Sequence, residues 1–279
     1  MIAGKGKRSA QQRALSQHSR ETSDPLFNQT VEKALIIVEA FGGDRRALNI
    51  EEIAASTGMT RSSAQRCVHT LERLGYLERD ARIRRWMLRP RTLRVARAYL
   101  AGNPLIEQAT THLIDLNQET GESVSLSQPD DTDMIFVARF PSHKRFVIHM
   151  PIGSRLPMYC SASGRAYLSA LPIEEVQEVL RRSNLKAFTH FTCTGTAKIL
   201  ALVKAAREAG YAWNDQECHR DDVSIAVPVT GEDGRPVAAI ALSSTTSRYT
   251  LNELRAKWSL LLRDTARAAS SGTAGRLRT

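Results

Sequence analysis

The sequence predicts an α+β protein in two parts: an N-terminal winged helix-turn-helix, then a helical linker leading to a C-terminal antiparallel sheet flanked by helices. Three observations carry this expectation. Apolar residues recur at spacings of three and four through residues 31–74, with glycines where the helices should stop. Short strand patterns then fall into groups with helical patterns between them, the arrangement of an antiparallel sheet covered by helices. Finally, residues 60–97 hold eleven arginines, no lysine and three acids (Glu72, Glu78, Asp80), so one short stretch concentrates the positive charge of a chain whose formal total is +10.

The 279 residues suffice for one small and one ordinary domain. Residues 1–24 are polar and basic and read as a disordered tail, a basic arm rather than a transit peptide. Val31, Ala34, Leu35, Val38 and Phe41 mark a first helix that Gly42-Gly43 stops. Asn49 and Glu52 form a capping pair for a short helix with Ile50, Ile53 and Ala54 on its apolar side, ending at Thr57-Gly58. A third helix opens at Thr60, carries Ala64, Cys67, Val68, Leu71 and Leu74 inward, and stops at Gly75. Two strands around Asp80-Ala81-Arg82-Ile83 would form a wing. These elements place a winged helix-turn-helix at 25–89, a linker at 90–120 interrupted by Gly102-Asn103-Pro104, a larger domain at 121–268 and a tail at 269–279. Within the larger domain, strands are expected at 124–127, 134–140, 146–150, 211–216, 223–229 and 236–243. Helices are expected at 163–171, 173–182, 196–209 and from about Leu251 onward.

The third helix divides its labour. Ser62, Gln65, Arg66 and His69 stand at i, i+3, i+4 and i+7, on one face opposite the apolar stripe. Arg and Gln are shaped to read guanine and adenine edges in a major groove. Arg61 and Arg73 also stand opposite the stripe, and Thr60 and Ser63 near the helix start can bond phosphate oxygens, aided by the positive helix end. Arg82, Arg84 and Arg85 of the wing would flank the backbone or enter a minor groove. His69 reads equally as a contact or as a half-buried histidine, and Arg73 as a partner for Glu72 or Glu78. Double-stranded DNA is the expected partner. Single-stranded RNA is disfavoured because the basic stretch lacks exposed aromatic clusters for stacking.

Other classes find little support. Ser183-Asn184-Leu185-Lys186 matches S-x-x-K without its companion motifs, and the segment 160–164 lacks the first glycine of a nucleophile elbow. An enzyme with a basic accessory domain remains the alternative, without named catalytic residues. His190, Cys193, Cys218 and His219 match no familiar zinc spacing, so neither metal nor cofactor is expected. Four scattered cysteines without a C-x-x-C pair suit a reducing cytoplasm. No apolar run approaches the roughly 18–20 residues of a membrane span.

In the larger domain, Ser161, Ala162, Ser163 and Gly164 open a helix. Their N–H groups would suit a carboxylate, although an ordinary serine N-cap explains the same residues.

The segment VEKALIIVEAFGG…LNIEEIAASTGMTRSSAQRCVHTLERLGYLERD resembles the N-terminal domain of IclR-type transcriptional regulators. PIGSRLPMYCSASGRAYLSALP and GYAWNDQECHRDDVSIAVPVTGEDGRPVAAIALS resemble the same family's effector-binding domain, so the likeness runs from about residue 27 to 265. It implies a GAF-like sensor domain, homodimers or dimers of dimers on palindromic operators, and small organic acids as effectors, with aromatic acids the nearest group. The resemblance further implies that the loop Ser161–Gly164 holds the effector carboxylate. Asn214, Ser224 and Ser243 fall where the family lines its pocket with polar groups. Met150 and Asp222 fall where it tends to place apolar ones. Two departures stand out: Asn214 replaces a residue that is often acidic, and Asp221-Asp222 replace small or apolar residues. An acid at Asp222 facing the pocket would repel a carboxylate or demand a donor-rich or cationic ligand; facing outward, it would have no such effect.

Overall fold

The structure, a computed structural model, describes residues 24–42, 45–144 and 150–271. The expected N-terminal tail lies almost wholly outside the described residues, as does most of the expected strand at 146–150. The elements fall into two units, one ending at Tyr99 and the other beginning at Leu100. No helix among the described residues is long and apolar enough to cross a membrane.

In the first unit, Asn28 caps α1 (Gln29–Glu39) by accepting from the Thr30 and Val31 N–H groups. Ile37 is the fully buried residue of that helix, with Ala34 and Val38 beside it. Val31 and Leu35, expected on the inner face, are 55% and 58% exposed, because the buried stripe is centred on Ile37 and they stand round the helix from it. A complete capping box opens α2 (Ile50–Thr57): Asn49 Oδ1 accepts from the Glu52 N–H at 2.8 Å, and Glu52 Oε2 from the Asn49 N–H at 2.9 Å. Gly58, at φ 71°, ends it in the left-handed conformation. Thr60 caps α3 (Arg61–Arg73), whose Ala64, Cys67, Val68 and Leu71 are buried. Leu74, expected with them, falls past the helix end and is half exposed.

Gly75 turns the chain into the antiparallel pair β1 (Leu77–Asp80) and β2 (Arg85–Leu88). Leu48 pairs with Trp86 through two backbone bonds and so adds an edge to the wing. α4 (Leu93–Gly102) follows a short 3-10 turn, and Asn103 caps the next helix.

The second unit is a six-stranded antiparallel sheet in the order β5-β4-β3-β8-β7-β6. Its strands are β3 (Ser123–Asp130), β4 (Asp133–Phe140), β5 (Arg155–Pro157), β6 (Ala212–Asp215), β7 (Asp222–Thr230) and β8 (Pro236–Thr245). β5 was not foreseen; three residues ending in proline leave no periodic signal. The period-2 alternation gives the sheet two faces. Val124, Leu126, Val223, Ile225, Ile240 and Leu242 pack with Leu105, Leu113 and Leu116 of α5 (Pro104–Thr120) and with Leu254 and Leu262 of α9 (Leu251–Ser271). The other face carries Ala212, Ala226, Ala239 and Ala241, small enough for α6 (Ala162–Ser169) to approach closely. Beyond it lie α7 (Ile173–Arg182) and α8 (Thr196–Ala209), with the expected bounds.

The approach of α6 is set by a glycine. A Cβ on Gly164 would stand 2.2 Å from Met158 Cα and 2.5 Å from its carbonyl oxygen. Neither backbone atom can yield without moving the strand-to-helix turn, so Gly164→Ala is expected to cost at least about 1–3 kcal/mol of stability. A thermal melt of the full chain checks this; an unchanged Tm would contradict the close packing.

Candidate nucleic-acid interface and ligand cavity

On α3 the side chains opposite the buried stripe are all in solvent: Arg61, Ser62, Gln65, Arg66 and His69 are exposed, as is Arg73. His69 is therefore a surface residue rather than a half-buried one. Arg73 makes no ion pair with Glu72 or Glu78; Glu78 pairs with Arg89, and Glu72 accepts from the Trp86 indole N–H at 3.4 Å. At the helix start Thr60 Oγ1 is engaged as the cap for the Ser63 N–H and lies 3.3 Å from Ser62 Oγ. Arg61 meets Glu51 at 3.1 Å in an exposed pair. Such a pair holds the guanidinium only weakly, so a phosphate can replace the carboxylate.

The wing arginines divide. Arg82 and Arg84 sit in the turn, both exposed, with Arg84 at φ 52°. Asp80 shapes that turn by accepting from the Arg82 and Ile83 N–H groups. Arg85, expected among the DNA contacts, instead points back into the unit. Its guanidinium grips Glu52 with two bonds of 2.7 and 2.9 Å and also donates to Ala47 O at 2.9 Å. The Asn49 N–H and this guanidinium hold the Glu52 carboxyl below the usual carboxylate range. Arg85 thus ties the wing to the start of α2. Arg84 closes the turn in a left-handed conformation while Arg85 opens β2, and the two side chains meet different surroundings.

In the second unit the α6-facing side of the sheet becomes polar at one end. Asn214, Ser224, Ser243 and Ser123 pair in register across β6, β7, β8 and β3, forming a row of polar side chains on one face. The row floors a cavity of about 50 Å³ whose opposite side is the N-terminus of α6. Met150, Ser161, Ala162, Ser163, Asn214, Asp222, Ser224 and Ser243, all expected at the site, line it. Gly164 does not: its N–H is taken by Ser161 Oγ at 3.1 Å, and its lack of a side chain serves the Met158 contact. Ser161 is an N-cap in the ordinary sense, its hydroxyl also donating to Pro157 O at 2.7 Å. The Ala162 and Ser163 N–H groups meet no acceptor among the described residues. The two readings of this loop are therefore both realised, by different atoms.

Sequence reading missed the cations. Arg139, paired in register with Ser125, lines the cavity, as do Phe136 and Arg248. Arg139 carries no motif; only the register of β4 against β3 brings it there. Arg248 is bonded to the fully buried Glu122, which Lys144 also meets at 2.9 Å. His219 is at the rim, and burial holds its pKa below the usual histidine range.

Asp222 faces inward. Its Oδ2 accepts from Asn214 Nδ2 at 2.8 Å and lies 3.5 Å from Ser224 Oγ. Burial pushes its carboxyl up to about 7, and Arg139, Ser224 and Asn214 draw it back only in part. Asn214 is itself fixed, since its Oδ1 accepts from the Glu217 N–H at 3.0 Å. Glu217 in turn holds the buried Arg165 of α6 with two bonds of 2.5 and 2.7 Å. Next to the cavity, the Cys160 and Cys218 sulfurs stand 3.4 Å apart; the contact with Cys160, together with burial, keeps Cys218 a neutral thiol.

The residues considered for catalysis do not assemble. Ser183 Oγ donates to Val179 O at 2.8 Å, while the Lys186 ammonium lies over the Phe188 ring. Among the described residues, no three His, Cys, Asp or Glu side chains are grouped to hold a metal.

Two family domains match in the order of the two units: the IclR helix-turn-helix domain over residues 30–81 and the bacterial transcriptional regulator IclR C-terminal domain over residues 97–271. The chain belongs to the IclR family of bacterial transcriptional regulators. The Pca regulon regulatory protein of Pseudomonas putida is 32% identical to this IclR-family chain, across 85% of this chain and 81% of that protein. The p-hydroxybenzoate hydroxylase transcriptional activator of Acinetobacter baylyi is 33% identical, across 84% and 88%. Among solved structures, a Rhodococcus sp. RHA1 protein named as a transcriptional regulator superposes with a TM-score of 0.75 at 31% identity, covering 89% of this chain and 99% of that one. An IclR homologue from Microbacterium hydrocarbonoxydans, complexed with 4-hydroxybenzoate, shares the fold at 24% identity, with a TM-score of 0.70 and coverage of 88% and 99%. This IclR-family protein is a DNA-binding regulator modulated by a ligand, and its relatives are named as transcriptional regulators rather than as enzymes.

The division of the wing has a direct test. Arg84→Ala should leave the Tm unchanged and reduce the salt dependence of DNA binding by about one phosphate contact. Arg85→Ala should lower the Tm while leaving that salt slope intact. Melting curves and binding isotherms at several salt concentrations check both; a loss of slope in Arg85→Ala would return Arg85 to the DNA-contacting set.

Proposed function

We propose that this regulator binds a pseudo-palindromic operator as a homodimer or a dimer of dimers, and that a small aromatic carboxylate in the second-unit cavity changes its operator affinity or output. The observation that carries this reading is the pairing, in one chain, of an exposed Ser62-Gln65-Arg66-His69 face with a cavity that combines free helix N–H groups and the Arg139 guanidinium. Helix N-termini and guanidinium groups both favour carboxylates, and Phe136 offers an aromatic wall. Relatives named for the Pca regulon and for p-hydroxybenzoate hydroxylase, and a homologue holding 4-hydroxybenzoate, support the aromatic class. The protein works in the bacterial cytoplasm, where its DNA target is.

Dimerisation is supported by apolar residues left in solvent on the first unit. Val31 and Leu35 lie on α1 and Leu93 and Val95 on α4, each more than half exposed. A second copy covering them would bring two recognition helices to successive major grooves. The stretch 90–120 serves as the linker through which the cavity acts, and its α5 portion has its apolar side in the second-unit core. The effector can shift the reading heads only by its differential affinity for the two arrangements.

The test is fluorescence anisotropy with duplex from upstream of the protein's own gene and with a scrambled duplex, each with and without 4-hydroxybenzoate. Specific binding tighter by about 10³-fold, altered by the acid, is expected. Arg66→Ala should cost about 1–3 kcal/mol and relax preference at one base pair. Equal binding to both duplexes, or an unchanged isotherm with the acid bound, would contradict the proposal.

A further inference from the structure

Asp222 lines the cavity, and its two carboxyl oxygens differ in their partners. Oδ2 takes the Asn214 and Ser224 contacts, whereas no described group donates to Oδ1. Asp222 lines the cavity together with Arg139 and the α6 N-terminus, so an anion bound there shares the site with this carboxyl. Two like charges in one poorly solvated site raise each other's proton affinity.

The charged and titratable neighbours face Asp222 from each side. Arg139 on β4 is the cation that acts on it; burial lowers the Arg139 pKa, and Asp222 offsets this only in part. Asn214 on β6 and Ser224 on β7 are neutral donors. In the loop before β7, Cys218 is a neutral thiol, and His219 is held below the usual histidine range by burial. Arg248, after β8, is bonded to Glu122, and Arg165 on α6 to Glu217. No other acid lines the cavity among the described residues.

We infer that Asp222 selects the effector by exchanging charges with it: a monoanionic carboxylate binds together with one proton, which Asp222 Oδ1 takes up, and the effector replaces Asp222 as the negative partner of Arg139. The inference rests on the cavity being the effector site. It reconciles an acid in the pocket with a carboxylate ligand, because the neutral carboxyl becomes a hydrogen-bond donor to the bound anion. It also excludes dianions, for which one proton does not restore charge balance. The Asp222 pKa of about 7 without ligand makes the exchange available near neutrality.

Isothermal titration of the full chain with benzoate and with 4-hydroxybenzoate tests this, in two buffers of different ionisation enthalpy across pH 6–8.5. Both carboxylates are ionised throughout, and His219 is neutral over most of the range. Net proton uptake approaching one at pH 8 is expected, with Kd nearly flat at pH 6 and rising about tenfold per unit above pH 7. Asp222→Asn should bind with no proton uptake and no such rise. Binding without proton uptake in the unchanged protein, or the same pH profile in Asp222→Asn, would overturn the exchange and leave the effector site standing. Failure of either acid to bind at any pH would remove the effector reading, and this inference with it.

Discussion

The second unit depends on a buried ion pair. Arg165 is 1% exposed, and its guanidinium spends its donors on Glu217 and on the Tyr159 and Trp213 carbonyls. This pair joins α6, whose N-terminus forms one wall of the cavity, to the loop after β6, which forms another. Removing one partner would leave an uncompensated charge in the interior, a loss of about 3–5 kcal/mol. From Glu217 the constraint passes to Asn214 through the Glu217 N–H, and from Asn214 to Asp222. One chain of charge-assisted and neutral hydrogen bonds thus fixes the helix terminus and the polar floor with respect to each other. A cavity held this way would need little ordering of its own side chains on binding a ligand.

The first unit applies a similar division at its surface. Basic residues are abundant in 60–97, but they are not interchangeable. Arg85 is spent on Glu52, and Arg89 meets Glu78. Arg79 lies over the Trp86 ring. Arg66 on α3 and Arg82 and Arg84 at the wing tip are exposed and have no such partner among the described residues. A net charge estimates attraction to polyanions, while the hydrogen-bond partners decide which arginine supplies it.

Much of this was legible in the sequence where local chemistry decides structure. The Asn49–Glu52 capping box, the Thr60 cap and the glycines at 58 and 75 act within a few residues, so their patterns are visible along the chain. Met150, Asn214, Asp222, Ser224 and Ser243 came from family resemblance, and the cavity gathers them with Ser161, Ala162 and Ser163 but without Gly164. What stayed hidden was long-range. Arg139 enters the cavity through the register of β4 with β3, Arg85 turns inward to a carboxylate 33 residues away, and Gly164 answers to the Met158 backbone. Val31 and Leu35 looked like core because helical spacing identifies a stripe without saying whether its own domain or another chain covers it.

The central claim is that a carboxylate seated between the α6 N-terminus and the polar row alters the segment leading to the DNA-reading unit. Hydrogen–deuterium exchange of the full chain, with and without saturating 4-hydroxybenzoate, tests it most directly. Slower exchange at the Ala162 and Ser163 amides, accompanied by a change within residues 93–120, is the predicted result. Protection confined to another surface, with those two amides unaffected in the bound protein, would contradict it.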